Sequence, residues 1–228
     1  KLTGASWVIQ NTTTLGGGNL ELIKIDPTND DIIYVTNGSV LYKSTDKGIT
    51  FTSVYNSFSE ITSLEVNSLN NEIVYITTTG NNGQVRKSVN GGVNFTNIST
   101  GLPNIGKNII VHQGNNTNNP LFLGTSLGVY YLDDLTTSWE PFDTNLPNVS
   151  VTDLEINIED SKLIAATYGR GIWQTDIPTL TPSDDVKLSE IQNPTFNINC
   201  NTNLSPIIKV KNNGLNSIST VNVTYSID

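Results

Sequence analysis

Carboxylates in closely spaced pairs are the chemical resource this sequence offers most plainly. Asp133 adjoins Asp134, and Asp153 lies two residues before Glu155. Two carboxyl groups about 5–10 Å apart across a sugar are what glycosidic hydrolysis requires. No spacing marks either pair as such, and acids at turns and strand edges are ordinarily solvated. Other chemistry has less to draw on. The chain has one histidine, His112, and one cysteine, Cys200. His112 has no Cys, His or acid at ligand spacing, so a structural role is expected, with no metal and no cofactor. Cys200 fits either a pairing with a cysteine elsewhere or a buried free thiol. Tyr168, Arg170 and Trp173 offer rings and a cation that could hold a sugar. Against that, Gly169-Arg170-Gly171 reads as a hairpin turn and Trp173 as a core ring.

Composition narrows the classes of partner. The net charge of −9 opposes a nucleic-acid partner, because a phosphate backbone is held by cationic surface. No stretch approaches the run of about 18 apolar residues needed to cross a bilayer. Charged residues make up 14% and hydrophobics 36%, both low, with roughly 30 asparagines taking up the difference. Short regular runs of Ile, Val, Leu and Tyr nevertheless exclude a disordered chain. The sequons at Asn94, Asn97 and Asn148 are expected by chance in so Asn-rich a chain.

The elements that position these residues come from an internal repeat. Phe51, Phe95 and Trp139 recur at an interval of about 44 residues, and Trp7 stands one interval earlier. Each unit has an alternating run, a polar turn, a second run, a Gly-containing turn and a third run. The first runs are Leu20–Ile25, Ile61–Val66, Asn108–Val111 and Val151–Ile156. Period-two alternation predicts half-buried strands. An eight-residue box then closes the unit, and its aromatic opens a fourth strand. The box is clearest at Ser44-Thr45-Asp46-Lys47-Gly48-Ile49-Thr50-Phe51. Its second copy is Ser88-Val89-Asn90-Gly91-Gly92-Val93-Asn94-Phe95. A third, degraded copy keeps Asp134 and Trp139 but has Thr136 where glycine belongs. The sequence around Gly4, Ser6 and Trp7 fits in part.

The box has a physical logic. Asp46 can accept hydrogen bonds from its own turn, and Asn90 preserves that capacity. Gly48 and Gly92 can take a positive φ without steric cost. Ser44, Ser88 and Thr50 can tie the ends, and the aromatic can bury between sheets. The repeat therefore predicts an all-β fold: a β-propeller segment of about four 44-residue, four-stranded blades. A β-sandwich of hairpins is the alternative, but it gives no reason for constant phase. No sustained i, i+3, i+4 apolar pattern predicts a helix.

Ser-x-Asp-x-Gly-x-Thr-aromatic resembles the Asp-box, or bacterial neuraminidase repeat. Ala166-Thr167-Tyr168-Gly169-Arg170-Gly171-Ile172-Trp173 is similar to the last-blade sequence of the xyloglucanase and sortilin-like group. The resemblance covers about 1–178. It implies a structural box remote from the ligand face, and a larger propeller of six or more blades of which 1–178 are the C-terminal part. A four-bladed ring closed by the strand at Trp7 is the alternative. Sialidase chemistry would need three arginines, and only Arg86 and Arg170 are present. After Pro178 the sequence changes. Residues 179–185 read as a Pro/Ser/Asp linker, and 186–228 as the start of an Ig-like β-sandwich. Ile207-Ile208-Lys209-Val210-Lys211-Asn212-Asn213-Gly214 is similar to Ig-like modules of large secreted Bacteroidetes proteins that use type IX secretion. That implies an extracellular or cell-surface, outer-membrane-associated location, with further domains of the polypeptide on both sides. The expected function is a non-catalytic module that binds glycan or protein or spaces other domains. The alternative is the non-catalytic portion of a secreted glycoside hydrolase or peptidase.

Overall fold

The structure is a computed structural model that describes residues 15–80, 82–179, 186–193, 205–212 and 217–224. The expectations at Gly4, Ser6, Trp7 and Cys200, and most of the linker, lie outside the described residues. The chain divides into two compact units, Lys1–Ile177 and Pro178–Asp228.

The first unit is a series of antiparallel sheets. Sheet one holds β1 (Ile23–Ile25), β2 (Ile33–Asn37), β3 (Val40–Ser44) and β4 (Thr52–Asn56) in chain order. Sheet two holds β5 (Ile61–Val66), β6 (Val74–Thr78), β7 (Val85–Ser88) and β8 (Thr96–Asn97). Sheet three holds β9 (Lys107–His112), β10 (Leu121–Thr125), β11 (Gly128–Leu132) and β12 (Glu140–Pro141). Sheet four has three strands, β13 (Val151–Asn157), β14 (Lys162–Thr167) and β15 (Gly171–Asp176). Each box aromatic stops just short of its outer strand instead of opening it. The ring is drawn onto the sheet face while the next residue takes up the ladder.

Alternating side chains give each sheet two apolar faces, and these faces stack. Tyr34 and Leu41 of sheet one pack with Leu64, Val66 and Ile76 of sheet two. Tyr75 and Val85 of sheet two pack with Ile110, Leu123 and Trp139 of sheet three. Phe122 and Val129 of sheet three pack with Leu154, Leu163 and Ala165 of sheet four. A further cluster of Leu15, Val35, Tyr42 and Phe51 lies on the opposite face of sheet one.

The box is a hydrogen-bonded latch. Ser44 Oγ donates to Asp46 Oδ1 at 2.8 Å and accepts from the Gly48 N–H at 2.9 Å. Asp46 accepts from the Thr50 N–H at 2.8 Å and the Thr50 hydroxyl at 2.6 Å. Lys47 and Gly48 both have positive φ, 59° and 83°. The Lys47 N–H then reaches the Asp31 carbonyl at 3.0 Å, joining the box to the β1–β2 turn. The second copy repeats the pattern: Ser88 Oγ donates to Asn90 and accepts from the Gly92 N–H, and Asn90 accepts from the Asn94 N–H. Gly92 has φ of 88°. Phe95 lies 4.5 Å from Tyr55, ring to ring, in the layer between sheets one and two.

The degraded copy works differently. Asp133, not Asp134, accepts the turn N–H groups of Leu135 and Thr136, at 3.0 and 2.9 Å. Asp134 instead accepts from the Asn119 side chain at 2.6 Å. With Thr136 in place of glycine, the turn closes one residue earlier. Trp139 keeps its place: it is 2% exposed, and its indole N–H donates to the Ile98 carbonyl at 2.7 Å. A second series of acceptors lies in the polar turns between the first and second runs. Asp26 and Asn67, both buried, each accept two backbone N–H groups in the turn after the innermost strand.

The second unit contains β16 (Val186–Asn193) and β17 (Ile207–Asn212), paired antiparallel. The sequence alternates over Val221–Ile227, as a strand would, but the described part, residues 221–224, forms no ladder. Alternation places side chains on two faces but supplies no partner edge.

Two predictions follow from the latch and the layers. The Thr50 hydroxyl, followed by the Thr50 N–H and the Ser44 hydroxyl, holds the Asp46 carboxyl below its ordinary pKa. Its stabilisation is full above about pH 4 and is lost as the pH falls through the lowered folded value. Asp46→Ala should lower the urea midpoint at pH 7 and flatten this acid dependence, while Asp46→Asn should keep most of the midpoint. Trp139→Ala should cost about 3–5 kcal/mol in urea unfolding, as a buried ring deletion between two sheets.

Candidate functional site

The innermost strands of all four sheets meet at one groove of about 270 Å³. Its lining includes Lys24 from β1, Glu65 from β5, Val111 from β9, and Asp153 and Glu155 from β13. The ladders place four of these at one level. Lys24, Glu65, Val111 and Glu155 stand opposite Tyr34, Tyr75, Phe122 and Ile164 of the second strands. Corresponding positions of successive sheets thus converge, although they are far apart in sequence.

Glu65 is the most deeply placed of the groove's acids, with a side chain 13% exposed. Lys24 forms an ion pair with it from sheet one. Burial raises the Glu65 pKa, Lys24 and the His112 backbone N–H pull it down, and the Glu155 charge adds to the rise. Asp153 Oδ1 accepts the N–H of Leu154 at 3.0 Å. The other sequence pair, Asp133 and Asp134, sits in the outer turn of sheet three and takes no part in the groove. The carboxylate pairs were visible in the sequence; Lys24 and Glu65 were not, because nothing local links residues 41 apart.

His112 is structural in setting. It is 8% exposed and stacks on Tyr75, with ring centroids 6.3 Å apart. Burial pushes its pKa down to about 4, against smaller opposing pulls from Asn119 and Asp134. It is neutral at pH 7. As the pH falls from about 6.5 to about 4, the unfolded chain takes up a proton that the folded one refuses, which erodes stability. Among the described residues no cluster of three or more His, Cys, Asp or Glu could hold a metal.

Tyr168 and Arg170 lie in the β14–β15 hairpin, and Trp173 lies on β15. Tyr168 is 78% exposed at the β14–β15 hairpin. Gly169 and Gly171 have φ of 74° and 80°, as a tight turn requires. The Trp173 indole N–H donates to the Arg170 carbonyl at 2.9 Å. The Trp173 ring lines a separate cavity of about 320 Å³ between sheets three and four, together with Phe142, Leu146 and Leu163. It remains 38% exposed, so it is a wall of that cavity and not a sealed core ring.

Neither a family model nor a curated protein matches the sequence. Solved structures do match. A GH74 enzyme of Niastella koreensis is 23% identical with a TM-score of 0.54, over 65% of this chain and 26% of its own. A GH74 xyloglucanase from Xanthomonas campestris is 13% identical with a TM-score of 0.55, over 74% of this chain and 32% of its own. YCF48, solved with a D1 peptide, is 14% identical with a TM-score of 0.53, over 76% of this chain and 58% of its own. The chain is a β-propeller. At these identities the likeness is one of fold, and the chain spans about a quarter to a third of the GH74 enzymes' length. The four sheets are its blades, and the groove lies where their innermost strands converge. No helix among the described residues is long and apolar enough to cross a membrane.

The Lys24–Glu65 pair links blades one and two at the axis. Lys24→Met should leave Glu65 buried without its cation. The loss should be about 1–2 kcal/mol at pH 8, below the value for a fully buried pair because Lys24 is 36% exposed. It should shrink towards pH 5, since a raised folded pKa favours the protonated native state as the pH falls. Urea unfolding at the two pH values measures the difference.

Proposed function

We propose that the chain is a non-catalytic ligand-binding and scaffolding propeller module of a large secreted or cell-surface bacterial protein. Its ligand is a glycan or a protein segment, taken at the axial groove. The observation behind this reading is the way the groove's acids are held. Glu65 is engaged by Lys24 and the His112 amide, and Asp153 by the Leu154 amide. Fixed acceptors of this kind suit hydroxyl groups or cationic side chains. Hydrolysis would instead need an acid and a base free to exchange protons across the substrate. The acids outnumber Lys24, in keeping with the overall charge of −9. Of the similar structures, YCF48 holds a peptide and the Xanthomonas protein is a xyloglucanase, so both ligand classes have a precedent on this fold.

In this reading, residues 1–178 are the C-terminal part of a larger propeller, 179–185 a linker and 186–228 the start of an Ig-like module. The Asp-box residues Ser44, Asp46, Gly48, Thr50, Phe51, Ser88, Asn90, Gly92, Phe95 and Trp139 serve the fold and not the ligand. Export by a type IX route to the cell surface accords with the Ig-like resemblance. The GH74 likeness favours a second reading, in which the chain is the non-catalytic portion of a secreted glycoside hydrolase.

Glycan and peptide arrays, with a hydrolysis screen on the same protein, test the proposal. Binding without turnover is expected. The double variant Asp153→Asn, Glu155→Gln should weaken it by about tenfold or more at unchanged melting temperature. Release of reducing sugar or peptide fragments, abolished by the same variant, would overturn it.

A further inference from the structure

The two ends of the propeller differ in charge. The boxes mark one end: the N–H groups of Lys47, Gly91 and Asp134 bond to the carbonyls of Asp31, Glu72 and Asn118. Each box therefore lies at the same end of its blade as the turn between the first and second strands. Acids collect there, among them Asp30, Asp31, Glu72, Asp134, Glu159 and Asp160. Of the lysines near them, Lys47 and Lys162 pair with Asp31 and Asp176, and Lys43 and Lys87 lie over the rings of Tyr34 and Tyr75. The opposite end is nearly balanced among the described residues, with Glu21, Glu60 and Asp143 against Lys107 and Arg170.

The axial groove opens at the acidic end. Pro27, Ser68, Gly114 and Ile158, one from each of the four turns there, line it together with residues of the innermost strands. Among its described lining residues Glu65, Asp153 and Glu155 carry negative charge and Lys24 positive, and Asp153 and Glu155 are exposed. Much of the remaining lining is apolar, including Val111, Ile156 and Ile158. Lys24 shows how this surface holds a cation: its ammonium pairs with Glu65, and its side chain is only 36% exposed. Lysine and arginine side chains suit such a surface, because their methylenes lie on apolar groups while the charged head reaches an acid.

We propose that the ligand of the axial groove is a basic segment of another polypeptide, whose lysine or arginine side chains engage Asp153 and Glu155 beside the built-in Lys24–Glu65 pair. This ligand class rests on the proposed role of the axial groove as the binding site. A cleft lined by one sign of charge focuses the field and raises the local concentration of the opposite charge. The acids at the mouth extend that field, so a cationic segment is drawn to the end at which the groove opens. A neutral glycan gains nothing from it. Lys24 competes with such a ligand, because it occupies Glu65 with a charge of the ligand's own sign.

The probe is a labelled peptide of alternating lysine and glycine, titrated into the full chain and followed by fluorescence anisotropy. Saturable one-to-one binding is expected, and it should be lost when glutamine replaces the lysines. Raising the salt from about 0.05 M to about 0.5 M should weaken it by about tenfold or more, because screening shortens the reach of the acids. The double variant Asp153→Asn, Glu155→Gln should weaken it by about tenfold or more. Lys24→Met should instead tighten it by about threefold, since Glu65 is then released to the ligand. Melting curves confirm that the variants fold. Absence of binding overturns the proposal, and so does weaker binding by Lys24→Met. Binding that ignores the double variant also overturns it, because the acidic end at large would then hold the peptide. If a neutral glycan binds and the double variant abolishes that binding while the lysine peptide stays unbound, the groove remains the site and the basic ligand is refuted. If the double variant affects no ligand at all, the groove itself falls as the site.

Discussion

A β-sheet with two apolar faces is stable in water only when both faces are covered, and this constraint organises the protein. Tyr34 and Leu41 cover one side of blade one while Val35 and Tyr42 cover the other. The same alternation runs through blades two and three, so each sheet needs a neighbour on each side. Stacking in series follows, with the innermost strands converging. The axial groove is a consequence of that convergence. Its charged residues come from β1, β5 and β13, elements that meet only because the sheets between them are packed.

The eight-residue box serves the same constraint at the outer edge. A tight turn between β3 and β4 leaves backbone N–H groups that need acceptors. Asp46 and Ser44 supply them, and Asn90 and Ser88 do so one blade later. The turn then delivers Phe51 or Phe95 onto the sheet face. Blade three shows that delivery of the ring matters more than the identity of the acceptor. Asp133 replaces the expected Asp134, the turn is tied differently, and Trp139 still reaches the layer between blades two and three. Among the described residues blade four shows no such latch, and a cavity lies between it and blade three.

Ionisable groups follow burial more than they follow any chemical task. The pKa values of Glu65 and His112 shift in opposite directions, the acid upward and the imidazole downward, because burial disfavours the charged form of each. Lys24 partly offsets the shift at Glu65 and ties two blades together. The groove is thus an acidic surface with fixed geometry.

Much of the fold was legible in the sequence because its signals are local and periodic. Phe51, Phe95 and Trp139 recur in phase, alternation marks Ile61–Val66 and Leu121–Thr125, and turn residues separate the runs. A box folds on itself through contacts within four residues, so its roles for Ser44, Asp46 and Gly48 could be read directly. What tertiary structure decided was every relation across blades. Lys24 meets Glu65, Trp139 reaches the Ile98 carbonyl, and Trp173 faces Leu146 only after sheets stack. Those contacts depend on ladder register and on the order of sheets about an axis, which no short stretch of sequence encodes. The sequence by itself determined the repeated sheet and its latch; packing of one sheet on the next determined the groove and the cavity between blades three and four.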